Sequence, residues 1–290
     1  MNKQKHKLYM AQILGQIFRD KDLCNLLAFK GGTSLMFFHN LPRFSTDLDF
    51  NLLDAGKSDI VYERVRSILL HFGTIDDEAK KLFGPVLVLN YGRGERMLKV
   101  EISNRTYDNH YEMRSLAGVD VRVMTLPDMF AHKLCAMGER LSPRDVYDVG
   151  FFLEHHTDIN EHIICSRTGK SASEYAAWCA ERLKEASPKL IMQGLGEVLD
   201  DARAKSFVRN HLLEQTAEAL RLFAAFPQIA DQEPTERTQL LEAHPDFASR
   251  MEQQTIDIST LDDRMVAAVL TEGQSLEVRN RHGEIVRVQK

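Results

Sequence analysis

The sequence predicts an α+β fold: a mixed sheet with flanking helices, followed by a mostly helical C-terminal domain. Three observations predict it. Strand-like alternation and helix-like periodicity interleave through residues 1–126. From "LPDMFAHKLCAMGER" onward the periodicity is helical, and it stays so to Phe226. A polar stretch over 228–260, carrying Pro234 and Pro245, then precedes two short alternating runs. The expected division is therefore a core over 1–126, a helical domain over 127–230 that completes the cleft, and a C-terminal extension over 231–290.

The elements follow in order. Leu8, Ile13, Leu14, Ile17 and Phe18 recur at helical spacing over 6–19. "LLAFKGG" reads as a short buried strand ending in a turn, and "TSLMFFHN" as a helix capped by Thr33 or Ser34. "LPRFST" is a loop, and "DLDFNLL" alternates as a strand. "KSDIVYERVRSILLHFG" carries a helical stripe of Ile60, Val61, Val65, Ile68 and Leu69, with Gly73 near its stop. "PVLVLNYG" and "RMLKVEIS" read as paired strands around "RGE", and "VDVRVMT" as another strand. Thr125-x-x-Asp128 and Ser142-x-x-Asp145 each match a capping box with a proline in the first turn. "SLEVRNRHGEIVRV" predicts a terminal hairpin.

Of the 290 residues, 43% are apolar and 27% charged, enough to bury a core. A net charge of −5 with a pI near 6.1 disfavours a domain that coats nucleic acid by bulk charge, so RNA would need a local basic groove. Lys170, Arg182, Lys184, Lys189, Arg203, Lys205 and Arg209 in the helical half are candidates for one. Cys24, Cys135, Cys165 and Cys179 show no C-x-x-C spacing and read as reduced core thiols of a cytoplasmic protein. No apolar window is long enough for a spanning helix.

Asp47 and Asp49 sit two apart on a strand, so they project to one face. Adjacent carboxylates repel unless a cation bridges them, and a hard divalent ion such as Mg²⁺ or Mn²⁺ suits oxygen ligands. Glu101, on a strand with Lys99 and Ser103 on its face, is a candidate third carboxylate. Spacing alone equally fits a solvated edge strand. Gly31 and Gly32 permit close approach of the backbone to a ligand, and the helix that follows aims its N-terminal N–H groups there. A tight strand-to-helix turn explains the same glycines. Lys133, Met137 and Arg140 share one helix face, and Asp145 and Asp148 share the next. A solvated face, a helix cap at Asp145, and an Arg144–Asp148 pair are the rival readings. His155 and His156 read as a helix-end contact, Trp178 as core and His110 as loop. Ser34 has no His–Asp partners for a hydrolase triad.

"KGGTSL…RFSTDLDF" together with "AHKLCAMGERLSPRDVYDVGFFL" resembles the AbiEii-type nucleotidyltransferases, which include the MenT-type toxins, within the polymerase-β-like superfamily. The likeness covers roughly residues 28 to 155, with Gly32-Thr33 in place of Gly-Ser. It implies a polymerase-β-like nucleotidyltransferase core that moves a nucleoside monophosphate from an NTP to an acceptor, with pyrophosphate leaving. Asp47, Asp49 and Glu101 would bind Mg²⁺ or Mn²⁺, and Gly32, Thr33 and Ser34 would hold the β and γ phosphates. Lys133 would neutralise triphosphate charge, with Arg43 and Arg140 beside it, and Asp145 would be the acid after the lysine helix. The resemblance also implies a tRNA or other RNA acceptor, a co-encoded antitoxin partner, and a role as toxin of a toxin–antitoxin or abortive-infection system. A small-molecule nucleotidyltransferase and a non-catalytic nucleotide-binding module are the alternatives.

Overall fold

The computed structural model describes residues 2–195, 199, 202–230, 256–257, 275–279 and 285–289. Helix α1 (Lys3–Arg19) begins at Asn2, whose side chain accepts from the Lys5 N–H. Its buried face is Met10, Ile13, Leu14 and Ile17, an i, i+3, i+4, i+7 stripe. Leu8, expected on that stripe, is 55% exposed instead. The short α2 (Leu23–Leu26) leads into β1 (Leu27–Lys30), α3 (Gly31–Phe38), β2 (Leu48–Leu52) and α4 (Ser58–Leu70). In α4, Val61, Val65 and Leu69 face the core while Ile60 faces out.

Five further strands follow: β3 (Thr74–Lys81), β4 (Gly84–Asn90), β5 (Leu98–Ser103), β6 (Tyr111–Leu116) and β7 (Val119–Met124). The sheet order is β3-β4-β5-β2-β1-β7-β6. The β2/β5 and β1/β7 pairs are parallel and the others antiparallel, so the sheet is mixed. The two edge strands, β3 and β6, are those that the alternation pattern passes over. "TIDDEAKK" and "YEMRSL" are mostly charged or polar, as suits edges that must not pair with another chain.

Helices α5 (Leu126–Arg140), α6 (Pro143–Glu154), α7 (Glu161–Thr168), α8 (Ala172–Arg182), α9 (Pro188–Leu195), α10 (Ala202–Asn210) and α11 (Leu212–Ala230) form the remainder. One apolar core joins the sheet to these helices: Phe29 and Phe50 belong to it, and so do Phe130 and Phe152. Each fully buried side chain of that size contributes about 1.5–3 kcal/mol. Strand β8 (Ile256–Asp257) pairs with β9 (Ser275–Arg279), and β9 forms the expected antiparallel pair with β10 (Ile285–Gln289). The expected polar stretch over 228–260 lies almost wholly outside the described residues.

Two expected capping boxes are not made. Thr125 and Ser142 do occupy the N-caps of α5 and α6, but neither side chain caps. Asp128 instead accepts from the His110 N–H and from Asn160 Nδ2 at 2.7 Å. Asp145 is engaged by two cations. Tertiary partners thus take both carboxylates. The box at Ser171–Glu174, where no such partner competes, is complete. Trp178, expected in the core, is 39% exposed and lies under the Arg182 guanidinium. Cys135 and Cys179 are buried as expected, whereas Cys165 is exposed.

Candidate active site

Helix α3 starts at Gly31, two residues before the expected caps. Gly31 has φ +81°, and a Cβ there would lie 2.7 Å from Asp49 Oδ2. A Cβ on Gly32 would lie 2.5 Å from an Arg43 Nη and 2.9 Å from Ser45 Oγ. The two glycines let a carboxylate and a guanidinium close on the backbone from two sides. Thr33 does not cap. Its hydroxyl donates to the Asp47 carbonyl, which ties the helix start to the strand carrying the acids. Ser34 Oγ is buried with no hydrogen-bond partner among the described residues.

Asp49 faces Glu101 across the parallel β2/β5 pair and Lys30 across the antiparallel β1/β2 pair. Neighbouring residues in register share a face, so the expected third acid stands beside Asp49; Asp47, expected on the strand, immediately precedes β2. Lys99 Nζ lies 2.9 Å from Glu101 Oε2 and 3.9 Å from Asp47 Oδ2. Burial pushes the Asp49 carboxyl above its usual range. Lys99 opposes that rise, while Asp47 and Glu101 add to it. For Glu101, burial would raise the pKa, but the hydrogen-bonded Lys99 ammonium outweighs it and holds the carboxyl low.

The α5–α6 block is built differently. Lys133 Nζ lies 2.9 Å from Asp145 Oδ1 and 2.7 Å from Asp148 Oδ2. Arg140 reaches the other oxygen of Asp145, with Nε at 2.7 Å and Nη2 at 2.6 Å. Met137, between the two cations in sequence, is fully buried. Asp148 does not take Arg144 as its ion-pair partner. Arg43 Nε and Nη2 each lie 2.6 Å from one of its oxygens, a bidentate pair in which both residues are buried. Burial works against charge on both. The facing guanidinium and Lys133 nevertheless hold the Asp148 carboxyl low, and Asp148 holds the Arg43 guanidinium high.

Arg43 therefore fastens the glycine turn to α6. Its remaining Nη1 donates to the Phe44 carbonyl at 3.2 Å, so three of its nitrogens are engaged within the protein. The two sequence blocks, Phe29–Phe50 and Ala131–Leu153, share the apolar core and are joined by this side chain. The sequence reading does not name Lys30, although it precedes the two glycines, and it gives Asp148 no role of its own, with a pair to Arg144 as the rival reading. As expected, His155 Nδ1 contacts the Phe151 carbonyl at 2.8 Å at the end of α6, and His110 lies outside regular structure. A separate open cavity lined by Arg114, Leu126, Asp128 and Asn160 includes none of the expected site residues.

The donor set fits a hard divalent cation. Asp47, Asp49 and Glu101 offer only oxygens, and Asp49 sits under like-charge pressure that a cation relieves. Among the described residues no ready-made cage of three or more His, Cys, Asp or Glu side chains exists. No helix among the described residues is long and apolar enough to cross a membrane.

Residues 12–264 match the family model described as "Nucleotidyl transferase AbiEii toxin, Type IV TA system". Similar solved structures include JHP933 from Helicobacter pylori, at 21% identity and TM-score 0.47, covering 84% of this chain and 97% of that one. MenT4, the nucleotidyltransferase toxin Rv2826c of Mycobacterium tuberculosis H37Rv, matches at 17% identity and TM-score 0.49, covering 77% and 87%. An antigenic nucleotidyltransferase-like protein from Paracoccidioides brasiliensis matches at 13% identity and TM-score 0.42, covering 67% and 94%. No curated protein matches the sequence significantly. The family match spans most of the chain: this protein belongs to the AbiEii nucleotidyltransferase toxin family, and an antitoxin is its implied partner.

Proposed function

We propose that this AbiEii-family nucleotidyltransferase transfers a nucleoside monophosphate from an NTP to an RNA acceptor, such as tRNA, in a Mg²⁺- or Mn²⁺-dependent reaction, and that this makes it a cytoplasmic toxin. The observation that carries the reading is the joining of Asp47, Asp49 and Glu101 to the Lys133 helix through the buried Arg43–Asp148 pair.

In this reading Asp47 and Asp49, with Glu101, hold the metal. Bound Mg²⁺ supplies charge neutralisation at the transferring phosphate and polarises its oxygens. The N–H groups at the start of α3 and the unpartnered Ser34 hydroxyl hold the β and γ phosphates. The acceptor hydroxyl oxygen attacks the α phosphorus, and the bond from that phosphorus to the α–β bridging oxygen breaks. Pyrophosphate leaves with that bonding pair. The hydroxyl proton passes to the Glu101 carboxylate, which Lys99 keeps ionised. Lys133 and Arg140 neutralise charge building on the leaving group, with Asp145 orienting both. Arg43 enters as a positioning residue and not as a phosphate ligand, because Asp148 and the Phe44 carbonyl already engage it.

The test is incubation with each α-labelled NTP, Mg²⁺ and total RNA, followed by electrophoresis. Labelled RNA is expected from the parent, no label after chelation, and no label from Asp47→Ala or Lys133→Ala. Equal labelling by those variants would sink the assignment.

A further inference from the structure

We propose that His6 is a positioning residue for Asp47: with Tyr91 behind it, its ring holds the Thr46–Asp47 peptide where the Asp47 carboxylate can share a cation with Asp49. The inference rests on the metal reading of Asp47 and Asp49 above and adds what sets the geometry of that pair.

The two aspartates are held in different ways. Asp49 is paired on both sides, with Lys30 of β1 and Glu101 of β5, so the sheet fixes it. Leu48 is the first residue of β2 and pairs with Val100 of β5. Asp47 therefore lies one residue beyond the strand, at the end of an irregular segment over 40–47. A metal-binding carboxylate must be held to within about 0.5 Å of its working geometry. Without a ladder, side chains have to supply that constraint.

The segment is tied residue by residue. Arg43 is clamped by Asp148 and donates to the Phe44 carbonyl. The Ser45 N–H donates to Met36 Sδ at 3.4 Å. The Asp47 carbonyl accepts from Thr33, and the Thr46 hydroxyl donates to Asp47 Oδ1 at 3.3 Å. The Thr46 carbonyl is met from α1, where His6 Nε2 donates to it at 2.9 Å. This last tie is the one that comes from outside the two sequence blocks of the site.

The tautomer of His6 follows from its partners. A carbonyl only accepts, so Nε2 carries the hydrogen. Nδ1 lies 2.5 Å from the Tyr91 hydroxyl and accepts its hydrogen. Burial pushes the imidazole below its ordinary 6.5 even though the Thr46 hydrogen bond opposes the fall, which keeps the ring neutral in that tautomer. His6, Thr46 and Tyr91 are all buried. The His6 ring centre lies 6.0 Å from that of Phe44 and 5.5 Å from that of Tyr91, and Tyr91 stacks on Tyr9 at 4.3 Å. A phenylalanine would fill such an aromatic setting without needing polar partners. What the imidazole adds is one directed donor, and it is aimed at the peptide that carries Asp47.

The experiment compares the full chain with His6→Gln, His6→Asn and His6→Leu. Mn²⁺ binding is read by water-proton relaxation, transfer by α-labelled NTP with total RNA, and stability by melting temperature. A glutamine amide can stand where Nε2 stands and donate to the Thr46 carbonyl. An asparagine amide stands near the place of Nδ1 and falls short of it. His6→Asn and His6→Leu are expected to weaken Mn²⁺ binding by about tenfold and to lower kcat at least as much, with the NTP KM at saturating Mn²⁺ unmoved. His6→Gln should recover most of both. If His6→Leu does not fold, the contrast between glutamine and asparagine still decides. Parental Mn²⁺ affinity in His6→Asn overturns the inference. So does an equal loss in His6→Gln and His6→Asn that tracks a common fall in melting temperature, the mark of a histidine that only packs. A parent that binds no Mn²⁺ overturns the metal reading and this inference together. A parent that shows the contrast in Mn²⁺ affinity yet labels no RNA supports the positioning role and overturns only the RNA acceptor.

Discussion

The acids at the start of β2 and within β5 and the acids of α6 are both clustered, yet they are balanced in opposite ways. Asp145 and Asp148 are two carboxylates among three cations at ion-pair distance, Lys133, Arg140 and Arg43. Asp47, Asp49 and Glu101 are three carboxylates with Lys99 between two of them. The Arg43–Asp148 pair is satisfied within the protein, whereas at the strand cluster Lys99, with Lys30 opposite Asp49, still leaves the Asp49 carboxyl above its usual range. The first has the electrostatics of a brace and the second those of a site whose counter-charge arrives with substrate.

The comparison breaks most readily at Asp148. Truncating one member of a buried ion pair leaves its partners uncompensated, so Asp148→Ala should cost about 3–5 kcal/mol. Denaturant unfolding of parent and variant measures it, and a cost under about 1 kcal/mol would end the brace assignment. The pH dependence carries the same contrast with opposite signs. Asp148 is held below its ordinary 3.8, so its contribution is present above that value and lost as pH falls through the lower folded value. Asp49 is held above 3.8, so its contribution is present below that value and lost as pH rises through the higher folded value. In acid titrations followed by circular dichroism, Asp148→Asn should flatten the loss of stability below pH 3.8, while Asp49→Asn should leave that limb in place.

A smaller effect sharpens the geometry. Arg43→Lys keeps the charge but loses the two-pronged contact with Asp148 and the close fit against Gly32. The expected cost is about 2 kcal/mol, together with a fall in kcat larger than any rise in the NTP KM. A purely structural brace would lower stability and leave kcat of the folded fraction at the parental value.

Much of this was legible in the sequence. The Asp47–Asp49 spacing and the Glu101 strand predict a shared acidic face, because a period of two and one parallel register suffice. Patterned segments such as β4, β5, α4 and α5 were legible for the same reason. The edge strands were not, because their exposed faces carry charge and no alternation remains. The partners of Asp128 and Asp145 were also hidden. A local capping motif and a long-range ion pair use the same residue types, and only tertiary contact decides between them. Arg43 shows the limit most sharply. Beside a D-x-D motif it reads as a phosphate ligand, and it lies 105 positions along the chain from the carboxylate that engages it.

The smallest expected effect tests the strand cluster from the opposite direction. Asp49→Asn removes a negative charge from a half-buried position flanked by Asp47 and Glu101 while preserving the shape of the side chain. If the cluster is held under repulsion for the sake of a metal, the variant should be more stable than the parent at neutral pH by about 1 kcal/mol. The gain is modest because Lys99 and Lys30, which now oppose the rise of Asp49, lose a partner as the repulsion is relieved. Nucleotide transfer should be lost in the same protein, and Mg²⁺ should raise the melting temperature of the parent but not of the variant. Thermal denaturation with and without Mg²⁺ separates these effects. A variant less stable than the parent without metal would show that Asp49 is braced as Asp148 is, and the contrast between the two clusters would collapse.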